Sequence, residues 1–387
     1  MIATFELAPH GEAAALALEE SLGTEGAVAR LGARFGGEVL DEGGGRATIA
    51  WPWTNWGANV PQLLASVIAG EGSETARFTR CRLVAIHLPQ DLLAALGAGP
   101  AFGLAGVRSL LGTAPADRPL LGGIVKPSLG LAPAEVAEVA VALARGGCDL
   151  VKDDELLGDP PWCPLDQRVR AVASALEASG VACLYAANVT GPSESLVDRA
   201  GAAVAAGATA IMVNAFAQGL DAVRWLAQAG LGVPLFAHRV GSGPLARNGD
   251  FGIRGDVLCL MTRVLGADFV QIGGFGGKLF DGDEQVARNL LACRRPLLGR
   301  SGAEVAAPVP VNGGGVWAGA VPGILAEAGD DVLILGGSKL IEHPGGAEAG
   351  AISMCQAIEG CRGGLSLDRA ADRAPELAIA LACQGTG

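Results

Sequence analysis

From about residue 115 onward, short apolar runs rich in β-forming residues alternate with Ala- and Leu-rich stretches of helical period, the signature of repeated βα units. Eight runs recur: LLGGIVKP (120–127), CDLVKDD (148–154), ACLYAANV (182–189), AIMVNAF (210–216), PLFAHR (234–239), DFVQIGG (268–274), PVPVNGGG (308–315) and DVLILGG (331–337). Between them lie amphipathic segments such as APAEVAEVAVALARGG and GLDAVRWLAQAG, several closed by glycine as helix C-termini are. Eight units in about 270 residues is the count and size of a closed (β/α)₈ (TIM) barrel. A doubly wound open sheet is the alternative, but no GxGxxG follows the first run.

Residues 1–114 read differently. TFELAP, RATIAWPW and CRLVAIHLP have strand character, and EAAALALEESLG and VPQLLASVIAG helical character, which predicts a separate α+β domain with an antiparallel sheet. The expected division is therefore 1–114 and 115–387, with the boundary in TAPADRP, and the tail after residue 347 is expected to pack as helix.

Composition narrows the function classes. Half of the residues are apolar, enough for a sizeable core. A net charge of −12 without any basic run argues against nucleic-acid or anionic-membrane partners. Nine scattered cysteines with no CxxC pair read as reduced core residues, and the amino terminus lacks a leader pattern, so a cytoplasmic location is expected.

Lysine is the informative residue. Only four occur among 28 basic residues, and a chain that relies on arginine for fixed charge keeps lysine where a titratable amine is useful. In a barrel the active site lies at the carboxyl ends of the strands. Lys126 closes the first run, Lys152-Asp153-Asp154-Glu155 the second, and His238-Arg239 the fifth, while Lys278 sits in the glycine loop after the sixth. Strand alternation sets Lys152 and Asp154 on one face and Asp153 on the other, with Glu155 able to curl back. Two carboxylates suit Mg²⁺, although a buried ion-pair cluster is the alternative reading of KDDE. Asn312, Gly313 and Gly314 after the seventh strand, with Gly336 and Gly337 after the eighth, stand where such barrels bind phosphate. Arg239 offers a further bidentate contact. Lys339 reads as a solvated residue at a helix start.

The motifs GGIVKPSLGL, CDLVKDDE, FAHR, GGFGGKL, VNGGGVW and LGGSKLIEHPGGAEAG, in this order and spacing, resemble the RuBisCO large-chain superfamily, specifically its non-carboxylating form IV, the RuBisCO-like proteins. The resemblance runs from about Asn59 to Gly350. It implies a ferredoxin-like amino-terminal domain before the barrel and a homodimer with sites between paired subunits. It further implies Mg²⁺ held by Asp154, Glu155 and a CO₂-derived carbamate on Lys152, with Lys126, His238 and Lys278 as catalytic groups. Arg239, Asn312, Gly313, Gly314, Gly336 and Gly337 would be the substrate and phosphate contacts.

Departures from the carboxylase matter as much. Ser128, Ser242 and Gln271 stand where it has lysine and histidines, and Asn312 replaces a serine, so ribulose-bisphosphate carboxylation is not expected. FAHR, AANVTG and NAFAQGLD resemble the family's 2,3-diketo-5-methylthiopentyl-1-phosphate enolase, but its proton-abstracting lysine in a GPKFG-like segment is Ala101 here. The resemblance thus implies decarboxylation of a phosphorylated 3-oxo sugar acid, of the 3-oxo-isoapionate 4-phosphate type, through a metal-stabilised enediolate. An enolase or isomerase of a phosphorylated (methylthio)ketose is the alternative. A non-catalytic sugar-phosphate binder fits the retained ligand set less well.

Overall fold

Ile2–Ala8 (β1) buries every second residue, as a strand with one covered face does. It pairs antiparallel with Arg46–Ala50 (β3) and with Arg80–His87 (β4), and Glu38–Gly43 (β2) adds outside β3. Helices Ala13–Glu19, Val28–Phe35 and Val60–Leu63 fill the connections. The order β4-β1-β3-β2 makes the amino-terminal sheet ferredoxin-like. These features belong to a computed structural model, which describes residues 1–384 other than 69, 98, 115, 116, 300, 301 and 303.

The barrel strands are Leu120–Ile124 (β5), Leu150–Lys152 (β6), Leu184–Asn188 (β7), Ala210–Asn214 (β8) and Leu235–His238 (β9), followed after a short excursion, Phe251–Ile253 (β10), by Phe269–Gly273 (β11), Val309–Gly313 (β12) and Leu333–Gly336 (β13). Each of the eight apolar runs forms one of them. β5–β9 and β11–β13 close into a ring of parallel neighbours. Their uninterrupted burial reflects cover on both faces, by helices outside and by one another inside.

Two features depart from the simple division of the sequence. β10, although embedded in the barrel half, pairs parallel with β4 and becomes the fifth strand of the amino-terminal sheet. Helix Gly103–Leu110, on the amino-terminal side of the expected boundary, packs Val107 against Leu120, Leu150, Phe236 and Phe269 inside the barrel. The boundary segment itself includes residues 115 and 116, outside the described residues.

Asp268 fixes that helix. Its Oδ1 accepts from the N–H groups of Phe102 and Gly103, at 2.7 and 2.8 Å, and its Oδ2 accepts from Leu235 at 2.9 Å. The carboxylate is 1% exposed and joins the start of the helix to the amino ends of β9 and β11. Among the described residues no helix is long and apolar enough to cross a membrane.

Two stability predictions follow from these buried carboxyls. Asp268→Ala strands three N–H groups and should cost about 2–4 kcal/mol in denaturant unfolding. Glu20, buried with its Oε1 accepting from Gly72, is raised by that burial from 4.5 to about 7, against partial opposition from backbone donors. The folded chain therefore keeps a proton that the unfolded chain releases. Stability should fall by roughly 2–3 kcal/mol as pH rises through this window, and unfolding of Glu20→Gln should lose that slope.

Candidate active site

A cleft of about 380 Å³ opens at the carboxyl ends of the barrel strands. Lys126, Glu155, His238, Arg239, Lys278, Gly314, Gly337 and Lys339 all line it. Lys152 lies buried next to it, paired with Glu155, so all four lysines of the chain gather here. A wider groove of about 940 Å³ runs between the amino-terminal sheet and residues 295–298, and no lysine lines it among the described residues.

β6 delivers the central cluster as strand alternation requires. Asp153 turns away from the cleft and accepts from Arg168 Nε at 3.0 Å, Tyr185 Oη at 2.7 Å and Asn188 N at 2.9 Å. Asp154 pairs with Lys126, whose Nζ also donates to Ser128 Oγ at 2.8 Å. Lys152 is 0% exposed; its Nζ donates to the Asp153 carbonyl at 2.7 Å and stands 3.3 Å from Glu155 Oε2. Burial pulls this amine below its ordinary value, only partly offset by Glu155 and Asp154.

Two asparagines hold the turn that brings Glu155 back. Asn188, ending β7, donates through Nδ2 to the carbonyls of Asp154 and Glu155 at 3.2 Å each, and Asn214, ending β8, donates to the Glu155 carbonyl at 2.8 Å. Sequence reasoning passed over both. Burial by itself raises the Glu155 carboxyl, but the Lys152 charge outweighs it and brings it to about 2, so Glu155 is an anion. His238 is lowered to about 3, first by burial and then by Lys152, and is therefore neutral. The Val240 N–H donates to its Nδ1 at 3.2 Å, which places the ring proton on Nε2, 3.5 Å from Glu155.

The loop after β11 closes one wall. Lys278 N donates to the Gly314 carbonyl at 2.9 Å, and Phe275 N donates to Asn312 Oδ1 at 3.0 Å. Asn312 is thus a buried anchor of this loop. Asn312, Gly313 and Gly336 do not line the cleft; Gly314, Gly315, Gly337 and Ser338 do. Arg239 lines it too, with its guanidinium against Asp281.

Residue 101 lies elsewhere. Ala101 is exposed beside Phe102 and Gly103, whose N–H groups bond Asp268 at the amino end of β11, the end of the barrel opposite the cleft. Position 101 therefore lies away from this chain's own cleft.

The donor set fits a divalent cation in one way. Among the described residues no group of three His, Cys, Asp or Glu side chains is arranged to hold a metal. Asp154 and Glu155 offer two oxygens, and a third would require the Lys152 amine beside Glu155 to be converted to an oxygen ligand.

A ferredoxin-like sheet, a closed parallel barrel and a lysine-lined cleft at the strand ends are the features of a barrel enzyme. The model of the ribulose bisphosphate carboxylase large chain catalytic domain matches residues 103–383, and the chain belongs to that family. It is 37% identical over 346 residues, 88% of this chain and 74% of the relative, to the ribulose bisphosphate carboxylase-like protein of Allochromatium vinosum. It is 33% identical over 341 residues to the 3-oxo-isoapionate-4-phosphate decarboxylase of Rhizobium etli, covering 86% of this chain and 80% of that one. The dimeric archaeal RuBisCO of Hyperthermus butylicus superimposes with a TM-score of 0.88 at 27% identity, covering 100% of this chain and 96% of that one.

The ion-pair reading of KDDE holds across the motif, with Asp154 on Lys126 and Glu155 on Lys152 as well as Asp153 on Arg168. Asp153 with Arg168 is the buried ion pair, both side chains 0% exposed, whereas Asp154 and Glu155 face the cleft side. Arg168→Ala leaves Asp153 charged, buried and short of a partner, and should cost about 3–5 kcal/mol in chemical denaturation.

Proposed function

We propose that this protein is a Mg²⁺-dependent decarboxylase of a phosphorylated 3-oxo sugar acid, of the 3-oxo-isoapionate 4-phosphate type, working as a cytoplasmic homodimer. The observation that carries the reading is the fully buried Lys152 amine between Asp154 and Glu155, at the base of a cleft lined by the other three lysines. A buried amine with lowered proton affinity is the form that adds CO₂ to give a carbamate, and the carbamate with Asp154 and Glu155 makes an all-oxygen set suited to Mg²⁺. When bound, Mg²⁺ would supply Lewis acidity toward the carbonyl and hydroxyl oxygens of the substrate.

The chain's own residues account for the rest. The phosphate fits between Lys278, Lys339 and the open backbone of Gly314, Gly315 and Gly337. Lys126, steadied by Asp154 and Ser128, offers a cation to the oxygen that takes up the electron pair when the carbon–carbon bond breaks. His238, neutral with its proton on Nε2, donates to a substrate oxygen or to Glu155. Lys278, on the loop after β11, is placed to pair with the departing carboxylate and to return a proton to carbon. This sequence removes no carbon-bound proton, in keeping with alanine at position 101. Leu129, Leu156 and Trp162, beyond β5 and β6, are exposed apolar side chains that a second copy would cover.

Purified protein supplied with Mg²⁺, CO₂ and the 3-oxo acid phosphate should release CO₂ from the substrate. Lys152→Ala and Asp154→Ala should each lower the rate by at least about 10³-fold. Solvent deuterium entering a ketose phosphate without CO₂ release would instead establish the enolase or isomerase reading.

A further inference from the structure

Arg239 lines the cleft, yet its charge is already matched from behind. Its Nη1 lies 2.7 Å from Asp281 Oδ2, the two side chains are 12% and 1% exposed, and the guanidinium rests 5.2 Å over the Phe280 ring. Gly273, which ends β11 at φ +101°, makes room for the pair. A Cβ there would stand 3.1 Å from Arg239 Nη1 and 3.4 Å from Asp281 Oδ2. Three elements thus build this contact: the end of β9, the end of β11 and the loop that carries Lys278.

The pair is not easily shared. Neither Asp281 oxygen has a hydrogen-bonding partner among the described residues, Oδ2 meeting Arg239 as an ion-pair contact only, so the carboxylate has no donor to turn to if Arg239 leaves it. An anion drawing Arg239 into the cleft would abandon a buried, unpaired carboxylate, and an anion placed beside the intact pair would meet a neutralised cation. Next to Arg239 stands Gln271, a neutral side chain whose Oε1 accepts from Arg239 N at 3.3 Å. The amines of Lys278 and Lys339, with the glycine backbones, belong to the walls formed after β11, β12 and β13.

We propose that Asp281 is a specificity-determining residue: by holding Arg239 it leaves the cleft a single phosphate site, at Lys278, Lys339 and the glycines, and so sets the protein against bisphosphate substrates. The proposal rests on the phosphorylated-substrate reading above. It adds that the end of the substrate nearest Arg239 carries no phosphate.

Titration calorimetry with ribulose 1,5-bisphosphate and ribulose 5-phosphate tests it on the wild type, Asp281→Asn and the double variant Arg239→Gln/Asp281→Asn. The wild type should bind the two ligands within about threefold of each other. Asp281→Asn frees one charge-assisted contact and should gain about tenfold or more for the bisphosphate, but less than about threefold for the monophosphate. The double variant should return to the wild-type ratio. A wild-type preference of tenfold or more for the bisphosphate overturns the proposal without reference to any variant, as does an Asp281→Asn change that is equal for both ligands. If neither sugar phosphate binds the wild type, the phosphorylated-substrate reading itself fails and the proposal falls with it. Binding with the wrong ratio overturns the proposal alone.

Discussion

A primary amine enclosed at the end of a barrel strand must be compensated, and much of this site is the compensation for Lys152. Desolvation disfavours its charged form, so the amine needs anions within reach or must give up its proton. Asp154 and Glu155 serve the first purpose, and the fold spends several residues on keeping them there. Asn188 and Asn214 hold the carbonyls of the turn, while Lys126 and His238 balance the carboxylates in their turn. The carboxylates that make the charged amine tolerable favour its protonated form, and burial works against them by lowering its proton affinity.

The eight barrel strands were legible because each is buried on both faces and appears as a mainly apolar run, and some of the residues ending those runs, among them Lys126, Glu155, His238, Arg239, Gly314 and Gly337, line one cleft. β2 was not legible. Every residue of EVLDEG is exposed, so its strand character comes from ladder bonds to β3 and leaves no mark in the hydrophobic pattern. β10 is three residues long and belongs to a sheet whose other strands end well over a hundred residues earlier, a pairing that local sequence does not encode.

Within the site, charge type and strand position pointed to Lys126, Lys152 and Lys278 but not to Lys339, which reads as a solvated helix-start residue and instead lines the cleft, nor to the partners that decide what each cation does. Arg239 reads in sequence as an available anion ligand, and only the returning chain brings Asp281 against it. Asn312 reads as a phosphate-loop residue, yet its oxygen is taken by Phe275 N in the neighbouring loop. Asparagines 188 and 214 carried no signal, because an amide at a strand end is common and its use here depends on where a turn from another strand places two carbonyls.

The excursion through β10 has a mechanical consequence. The segment from Arg239 to Asp250 leaves the barrel at His238 and is next fastened on β4, where Cys81 N bonds the Asp250 carbonyl at 2.9 Å. It is a strap with one end on each sheet, and its first residues, Arg239 to Gly243, form a wall of the cleft. Any tilt of the ferredoxin-like sheet against the barrel therefore pulls on that wall, which couples the width of the cleft to the relative pose of the two sheets.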